Sequence, residues 1–213
     1  MSPRIGVFGG TFDPMHLAHR DMARALRDEL ALDKVHIVPA GQPYHRAQAP
    51  QASAEQRLAM ARLTLGDEAG LWVDAREVRR PRPAYTVETL TELRAEYGEA
   101  AELWLLIGGD SLAALPGWRH WRQIFTLANL AVWQRPDLPT PPLPPELAAR
   151  WQARQVADFS KRTQYGTIRA LTLPAQAVSA TAIRQALAAG QPCAGLLAPA
   201  VVDYINQQHL YGR

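Results

Sequence analysis

Six short apolar runs, rich in β-branched, leucine or aromatic residues, recur along the chain: Ile5–Phe8, Val35–Val38, Leu71–Val73, Leu103–Ile107, Leu130–Trp133 and Thr167–Leu171. Helical patterns lie between several of them, and strands that alternate with helices argue for βα units and a mainly parallel sheet. Met22, Leu26 and Leu30 stand four apart, as a helix burying one stripe requires. Ser53 followed three residues later by Gln56 reads as a capping box, opening a helix that carries Leu58, Ala61 and Leu65 and stops at Gly66. Val87, Leu90 and Tyr97 sketch a further helix ending at Gly98, and Pro199 to His209 reads as a closing helix with Val201, Val202 and Ile205 on its apolar side. Pro136 to Pro145 holds six prolines, a density that marks a surface loop rather than an element.

A length of 213 residues with 47% hydrophobic content can bury one substantial core, so one domain over 1–213 is expected. The single cysteine, Cys193, excludes an intramolecular disulfide framework and a multi-cysteine zinc site. Met1-Ser2-Pro3-Arg4 runs straight into Ile5–Phe8, too short for a signal-peptide core, and no apolar run reaches membrane-spanning length; a cytoplasmic protein is expected. Lys+Arg exceeds Asp+Glu, 23 against 20, and lysine occurs only at 34 and 161. Arginine's planar fork suits phosphate and carboxylate, but the excess is small and scattered, which speaks against a nucleic-acid partner.

The first predicted strand runs into Gly9-Gly10-Thr11-Phe12-Asp13-Pro14-Met15-His16-Leu17-Ala18-His19, with a helix following. Adjacent glycines where a strand turns over let backbone N–H groups approach a phosphate, and the helix behind them adds the positive end of its dipole. His16 and His19, three apart, share one face of the first helical turn and would donate to triphosphate oxygens. Other readings remain open on these residues alone. Neither G-x-x-x-x-G-K-[ST] nor G-x-G-x-x-G is present, the histidines could ligate a metal without an H-E-x-x-H pattern, or the pair could be incidental.

A second string, Ser179-Ala180-Thr181-Ala182-Ile183-Arg184, joins a natural N-cap to a helix with an arginine about one turn in. A capped surface helix is the alternative. A third, Gly108-Gly109-Asp110, directly follows the most apolar strand, where open α/β sheets bind ligands; small residues there admit adenosine, and Asp110 could accept ribose hydroxyls or merely serve a tight turn. Of the tryptophans that follow, Trp118 is the better site candidate and Trp121 has core packing as its default.

Gly9-Gly10-Thr11-Phe12-Asp13-Pro14-x-His16-x-x-His19 with Ser179-x-Thr181-x-Ile183-Arg184 resembles the two motifs of the H-x-G-H nucleotidyltransferase superfamily. Pro39-Ala40-x-x-Pro43-x-His45, Glu77-x-x-Arg80, Pro83 to Leu90 and Gly108-x-Asp110 narrow the resemblance to bacterial nicotinate-nucleotide adenylyltransferases, over essentially the whole chain. Ala18 stands where the superfamily usually has glycine, Tyr44 where this family often has proline, Arg46 where it often has lysine, and Ala180 where a second serine is common.

The resemblance implies a Rossmann-like, doubly wound sheet with helices on both faces, and transfer of AMP from ATP to nicotinate mononucleotide in NAD biosynthesis, with Mg²⁺ carried by the ATP phosphates rather than by a protein metal site. It implies His16, His19 and Arg184 as catalytic, and Gly9, Gly10, Thr11, Phe12, Gly108, Asp110, Ser179 and Thr181 beside them at ATP. Asp13, Arg46, Tyr85, Thr86 and Trp118 are implied at the pyridine nucleotide. The same chemistry on nicotinamide mononucleotide or phosphopantetheine is the nearest alternative. A nucleic-acid-binding module and a metal-dependent hydrolase built on His16 and His19 are the rivals from other classes. The sequence carries no expectation for the oligomeric state.

Overall fold

The structure, a computed structural model, describes residues 2–43, 49–133, 142–156, 162–171 and 178–212. Strands form at all six apolar runs: β1 (Arg4–Gly10), β2 (Lys34–Pro39), β3 (Leu71–Val73), β4 (Glu102–Gly108), β5 (Asn129–Trp133) and β6 (Ile168–Leu171). Their order across the sheet is β3-β2-β1-β4-β5-β6, and the strands run parallel. The chain therefore winds outward from β1 to β3, returns to the middle and winds outward again from β4 to β6, as doubly wound α/β folds do. Helices are α1 (Leu17–Glu29), α2 (Ala54–Leu65), α3 (Thr86–Tyr97), α4 (Gly109–Ala114), α5 (Trp121–Leu127), α6 (Pro145–Arg154), α7 (Ala180–Ala188) and α8 (Pro199–Gln207). No helix among the described residues is long and apolar enough to cross a membrane.

The chain divides into two compact units. The first comprises Met1–Gly9, Ala25–His36 and Tyr85–Ala175. Its strand register opens on Arg4 opposite Glu102, and the two side chains form a buried, two-pronged ion pair at 3.1 and 3.0 Å, with the Trp104 indole N–H donating to the same carboxylate at 2.7 Å. Removing either charge would strand the other away from water, at a cost of about 3–5 kcal/mol. Gly6 permits close packing here, since a Cβ would lie 2.8 Å from Leu32 and 3.0 Å from Val35. Asn129 fixes the start of β5, its amide donating to the Thr163 carbonyl at 2.7 Å while its oxygen accepts the Thr167 N–H at 2.9 Å.

The second unit comprises Gly10–Arg24, Ile37–Ala84 and Gln176–Arg213. The capping box of α2 is formed in both directions, Gln56 N–H to Ser53 Oγ at 3.2 Å and Ser53 N–H to Gln56 Oε1 at 2.9 Å, and the helix stops at Gly66 with φ +56°. Such a cap stabilises by about 1 kcal/mol. Met60 of α2, Ile183 and Leu187 of α7, and Val201 and Ile205 of α8 pack into one apolar cluster with Cys193, Leu197 and Tyr211.

Three helices lie outside the sequence expectation. α4 and α5, six and seven residues long, are too short to display a period. α6 opens on Pro145 with Pro144 before it, because proline's fixed φ and missing N–H suit a first helical turn. The proline-rich stretch 136–145 thus ends in a helix; its residues as far as 141 lie outside the described residues.

Candidate active site

In the second unit the segment from Gly10 to His19 carries most of the expected residues. The two glycines differ in what they admit. A Cβ on Gly10 would lie 2.8 Å from the Phe12 ring, whereas one on Gly9, at the end of the first unit's strand, meets nothing within 4 Å. Gly10 is therefore small to seat Phe12, and the space over Gly9 is open. Phe12 has φ +51°, a left-handed conformation that a bulky residue adopts only under constraint, and its buried ring packs edge-on against His19 at 5.1 Å.

His16 immediately precedes α1, its carbonyl accepting the N–H of His19 at 3.0 Å, so three-residue spacing brings the rings together. They stack at 3.6 Å and 20°. The His16 backbone N–H donates to His19 Nδ1 at 3.3 Å, which in a neutral ring leaves the proton on Nε2. His16 is 3% exposed, its Nδ1 is buried without a hydrogen-bond partner, and burial pushes its pKa down to about 4. His19 is held well below the usual imidazole range by burial and by His16 beside it. Two neutral imidazoles, each able to donate one N–H, therefore stand together, and neither supplies a fixed positive charge.

The same unit carries a fixed cation, Arg184. Ser179 caps α7 by accepting the Ala182 N–H at 3.1 Å, and one turn later Arg184 donates to the Asp13 carbonyl at 2.8 Å and to Thr181 Oγ1 at 3.3 Å. Its Nη1 stands 3.9 Å from Asp13 Oδ2, and its Nε has no hydrogen-bond partner. The structure thus brings Gly10, Thr11, Phe12, Asp13, His16, His19, Ser179, Thr181 and Arg184 into one unit.

Asp13, expected at the pyridine nucleotide, has its carboxylate engaged by protein. Its oxygens accept the N–H groups of Gln51 at 2.9 Å and Ala52 at 3.2 Å and the Tyr211 hydroxyl at 2.8 Å. Beneath the same segment lies Arg57, 1% exposed, donating to the carbonyls of Thr11 at 2.7 Å, Gly41 at 2.9 Å and Ala52 at 3.3 Å. Sequence reasoning passed over Arg57 and Tyr211. Arg57 lies four residues before Ala61 on the buried stripe of α2, a signal that it is not a surface cation; two residues from the end of a tail, Tyr211 offers no such signal.

The remaining expected residues belong to the first unit. Gly108 ends β4, and a Cβ there would lie 2.8 Å from Asp110 Oδ1, so the glycine accommodates the aspartate, which is exposed in the first turn of α4. α3 begins at Thr86 with Tyr85 as N-cap and no side-chain cap, leaving the first backbone N–H groups without a helical acceptor. The Arg119 guanidinium lies 4.7 Å over the Tyr85 ring, and Trp118 is half-buried just before it. Trp121 packs in the core against Phe125. Tyr44, His45 and Arg46 lie outside the described residues.

Residues 7–186 match the cytidylyltransferase-like family model. A Chromobacterium violaceum protein named "Probable nicotinate-nucleotide adenylyltransferase" is 62% identical over 211 residues, 99% of this chain and 100% of that protein. The chain belongs to the nicotinate-nucleotide adenylyltransferase family. A Laribacter hongkongensis protein of the same name is 53% identical over 97% of this chain and 94% of its own. The chain is thus a nucleotidyltransferase. Among solved structures, Plasmodium falciparum nicotinic acid mononucleotide adenylyltransferase complexed with NaAD superposes with a TM-score of 0.72, covering 98% of this chain and 97% of its own at 13% identity, and so shares the fold.

Proposed function

We propose that this enzyme transfers AMP from ATP to nicotinate mononucleotide, giving deamido-NAD and pyrophosphate as a cytoplasmic step of NAD biosynthesis, with residues 1–213 acting as one catalytic domain. The observation that carries the chemistry is the stacked pair of neutral His16 and His19, with Arg184, hydrogen-bonded to the Asp13 carbonyl, in the same unit. The acceptor phosphate is already an anion at neutral pH, so no base has to create the nucleophile. One of its oxygens attacks the α-phosphorus, and the bond from that phosphorus to the β-bridging oxygen breaks with pyrophosphate leaving. The barrier lies in bringing anions together, and prearranged donors lower it without reorganising. Nε2–H of His19, the free N–H of the His16 ring and the Arg184 Nε–H are such donors, and the open space over Gly9 lets phosphate approach backbone N–H groups. Ser179 and Thr181 hold Arg184 and the start of α7.

Mg²⁺ bound to the triphosphate would neutralise part of its charge. In this reading phosphate oxygens and water supply the ion's ligands, and the Asp13 carboxylate, engaged by the Gln51 and Ala52 N–H groups and the Tyr211 hydroxyl, is committed to the protein.

Gly108 and Asp110 hold the adenosine half in this reading. The acceptor is read at the start of α3: uncapped N–H groups at a helix N-terminus favour the nicotinate carboxylate over a neutral amide, Arg119 adds positive charge beside Tyr85, and Trp118 stacks on the pyridine ring. Arg46 is a further candidate for the nucleotide. Incubating the purified protein with ATP and nicotinate mononucleotide and identifying products by mass tests the reaction: deamido-NAD with equimolar pyrophosphate supports it, and ATP hydrolysis to ADP and phosphate without adduct rejects it.

A further inference from the structure

Arg184 is held by an aspartate that faces three other donors, and the least expected of these comes from the penultimate turn of the chain. Tyr211 is 6% exposed, and its hydroxyl donates to Asp13 Oδ1 at 2.8 Å across 198 residues of sequence. Its backbone adopts φ +61°, a left-handed conformation in which a bulky L-residue is strained, and His209 two residues earlier has φ +51°. Such strain persists only where the surroundings over-determine it. Here Tyr211 belongs to the apolar cluster of Met60, Ile183, Val201 and Ile205, while the Leu17 N–H at the start of α1 donates to the Leu196 carbonyl at 2.9 Å. The C-terminal segment is therefore tied both to the acid that faces Arg184 and to the helix that begins after His16.

We propose that Tyr211 is a positioning residue for adenylyl transfer: its hydroxyl fixes the Asp13 carboxylate, which with the Asp13 carbonyl sets where the Arg184 guanidinium points. The proposal rests on the reading of Arg184 as a triphosphate ligand. Burial and the Asp13 charge push the phenol's pKa upward, so the hydroxyl remains a donor at every working pH. Without it, Oδ1 keeps only the Ala52 N–H and Oδ2 the Gln51 N–H, so less of the carboxylate's charge is neutralised and its pull on the Arg184 guanidinium, 3.9 Å from Oδ2, grows, drawing that group from the phosphates toward the acid. Tyr211 touches no reacting atom, so its effect must pass through Arg184.

Tyr211→Phe removes one oxygen and leaves the ring in place. With ATP and nicotinate mononucleotide, kcat should fall roughly 10-fold, as for loss of one hydrogen bond to a charged group, while KM for the pyridine nucleotide stays within a factor of about two. In an Arg184→Ala background the same change should have no further effect on kcat. Ile205→Val, which loosens the same apolar cluster without touching Asp13, should leave kcat unchanged. If Tyr211→Phe does not fold, Asp13→Glu, which keeps the charge and both acceptor oxygens but shifts them by one methylene against the Tyr211 hydroxyl and Arg184, is expected to lower kcat similarly, and an unchanged kcat overturns the proposal. It is equally overturned by a Tyr211→Phe enzyme with wild-type kcat, by a loss that persists undiminished in Arg184→Ala, or by an equal loss in Ile205→Val. An unmodified protein that makes no deamido-NAD instead sinks the assignment of the reaction itself, and this inference with it.

Discussion

Acidification should destabilise the apo enzyme through its buried imidazoles, by an amount that His16 makes calculable. In the unfolded chain this ring takes up a proton near 6.5, whereas in the folded protein burial delays uptake to about 4. A basic group whose folded pKa lies below its unfolded one leaves the unfolded state holding more protons in that window, so its contribution to stability is fully present above 6.5 and is lost as pH falls toward about 4. At 1.36 kcal/mol per unit of pKa, the gap amounts to about 3 kcal/mol for His16 alone, or about 6–12 °C in Tm for a domain of this size. Thermal unfolding of wild type and His16→Asn across that window reads the effect of His16 together with the part of His19's depression that His16 causes, because the carboxylates titrate alike in both. The variant should start less stable and lose less on acidification, so the two Tm curves converge as pH falls. Curves that stay parallel, or a His16 ring resonance titrating near 6.5, would refute the picture of a buried neutral imidazole.

His19→Ala removes a prearranged donor and should lower kcat by roughly 10²-fold or more with the fold intact by circular dichroism; an unaltered kcat contradicts its placement at the triphosphate. Arg57→Met deprives the Thr11, Gly41 and Ala52 carbonyls of their donor inside the protein, and urea unfolding should show a loss of about 2–4 kcal/mol, with a loss under about 0.5 kcal/mol counting against the network. Thr86→Pro removes one N–H from the start of α3 and should depress turnover of nicotinate mononucleotide far more than Thr86→Ala does, while Trp118→Ala should weaken both pyridine mononucleotides alike by about 1–3 kcal/mol in kcat/KM. A change confined to their ratio in Trp118→Ala would move the stacking role elsewhere.

The strands were legible because each is an apolar run bounded by polar or turn residues, and α2 because Ser53, Gln56 and Gly66 mark both of its ends. The three-residue spacing of His16 and His19 pointed to their pairing, although His16 stands just before α1 rather than within its first turn. What the sequence hid is what tertiary contact decides. Nothing in the sequence links Arg4 and Glu102, 98 residues apart, until parallel pairing places them opposite one another. Asp13 is expected at the pyridine nucleotide and Arg57 carries no expectation, yet each is buried because groups distant in sequence satisfy it. Gly10 and Gly9 looked equivalent, and only the left-handed Phe12 between them and His16 separates a glycine that seats a ring from one that leaves open space.

The enzyme is built for an acceptor carrying a ring carboxylate. Pyrophosphate release with ATP, measured side by side for nicotinate mononucleotide, nicotinamide mononucleotide and phosphopantetheine, tests it most directly. One favourable charge interaction at a helix N-terminus, reinforced by Arg119, should raise kcat/KM for nicotinate mononucleotide about 10-fold or more over the amide, with phosphopantetheine inactive. Equal kcat/KM for the two pyridine nucleotides, or faster turnover of phosphopantetheine, would contradict the account.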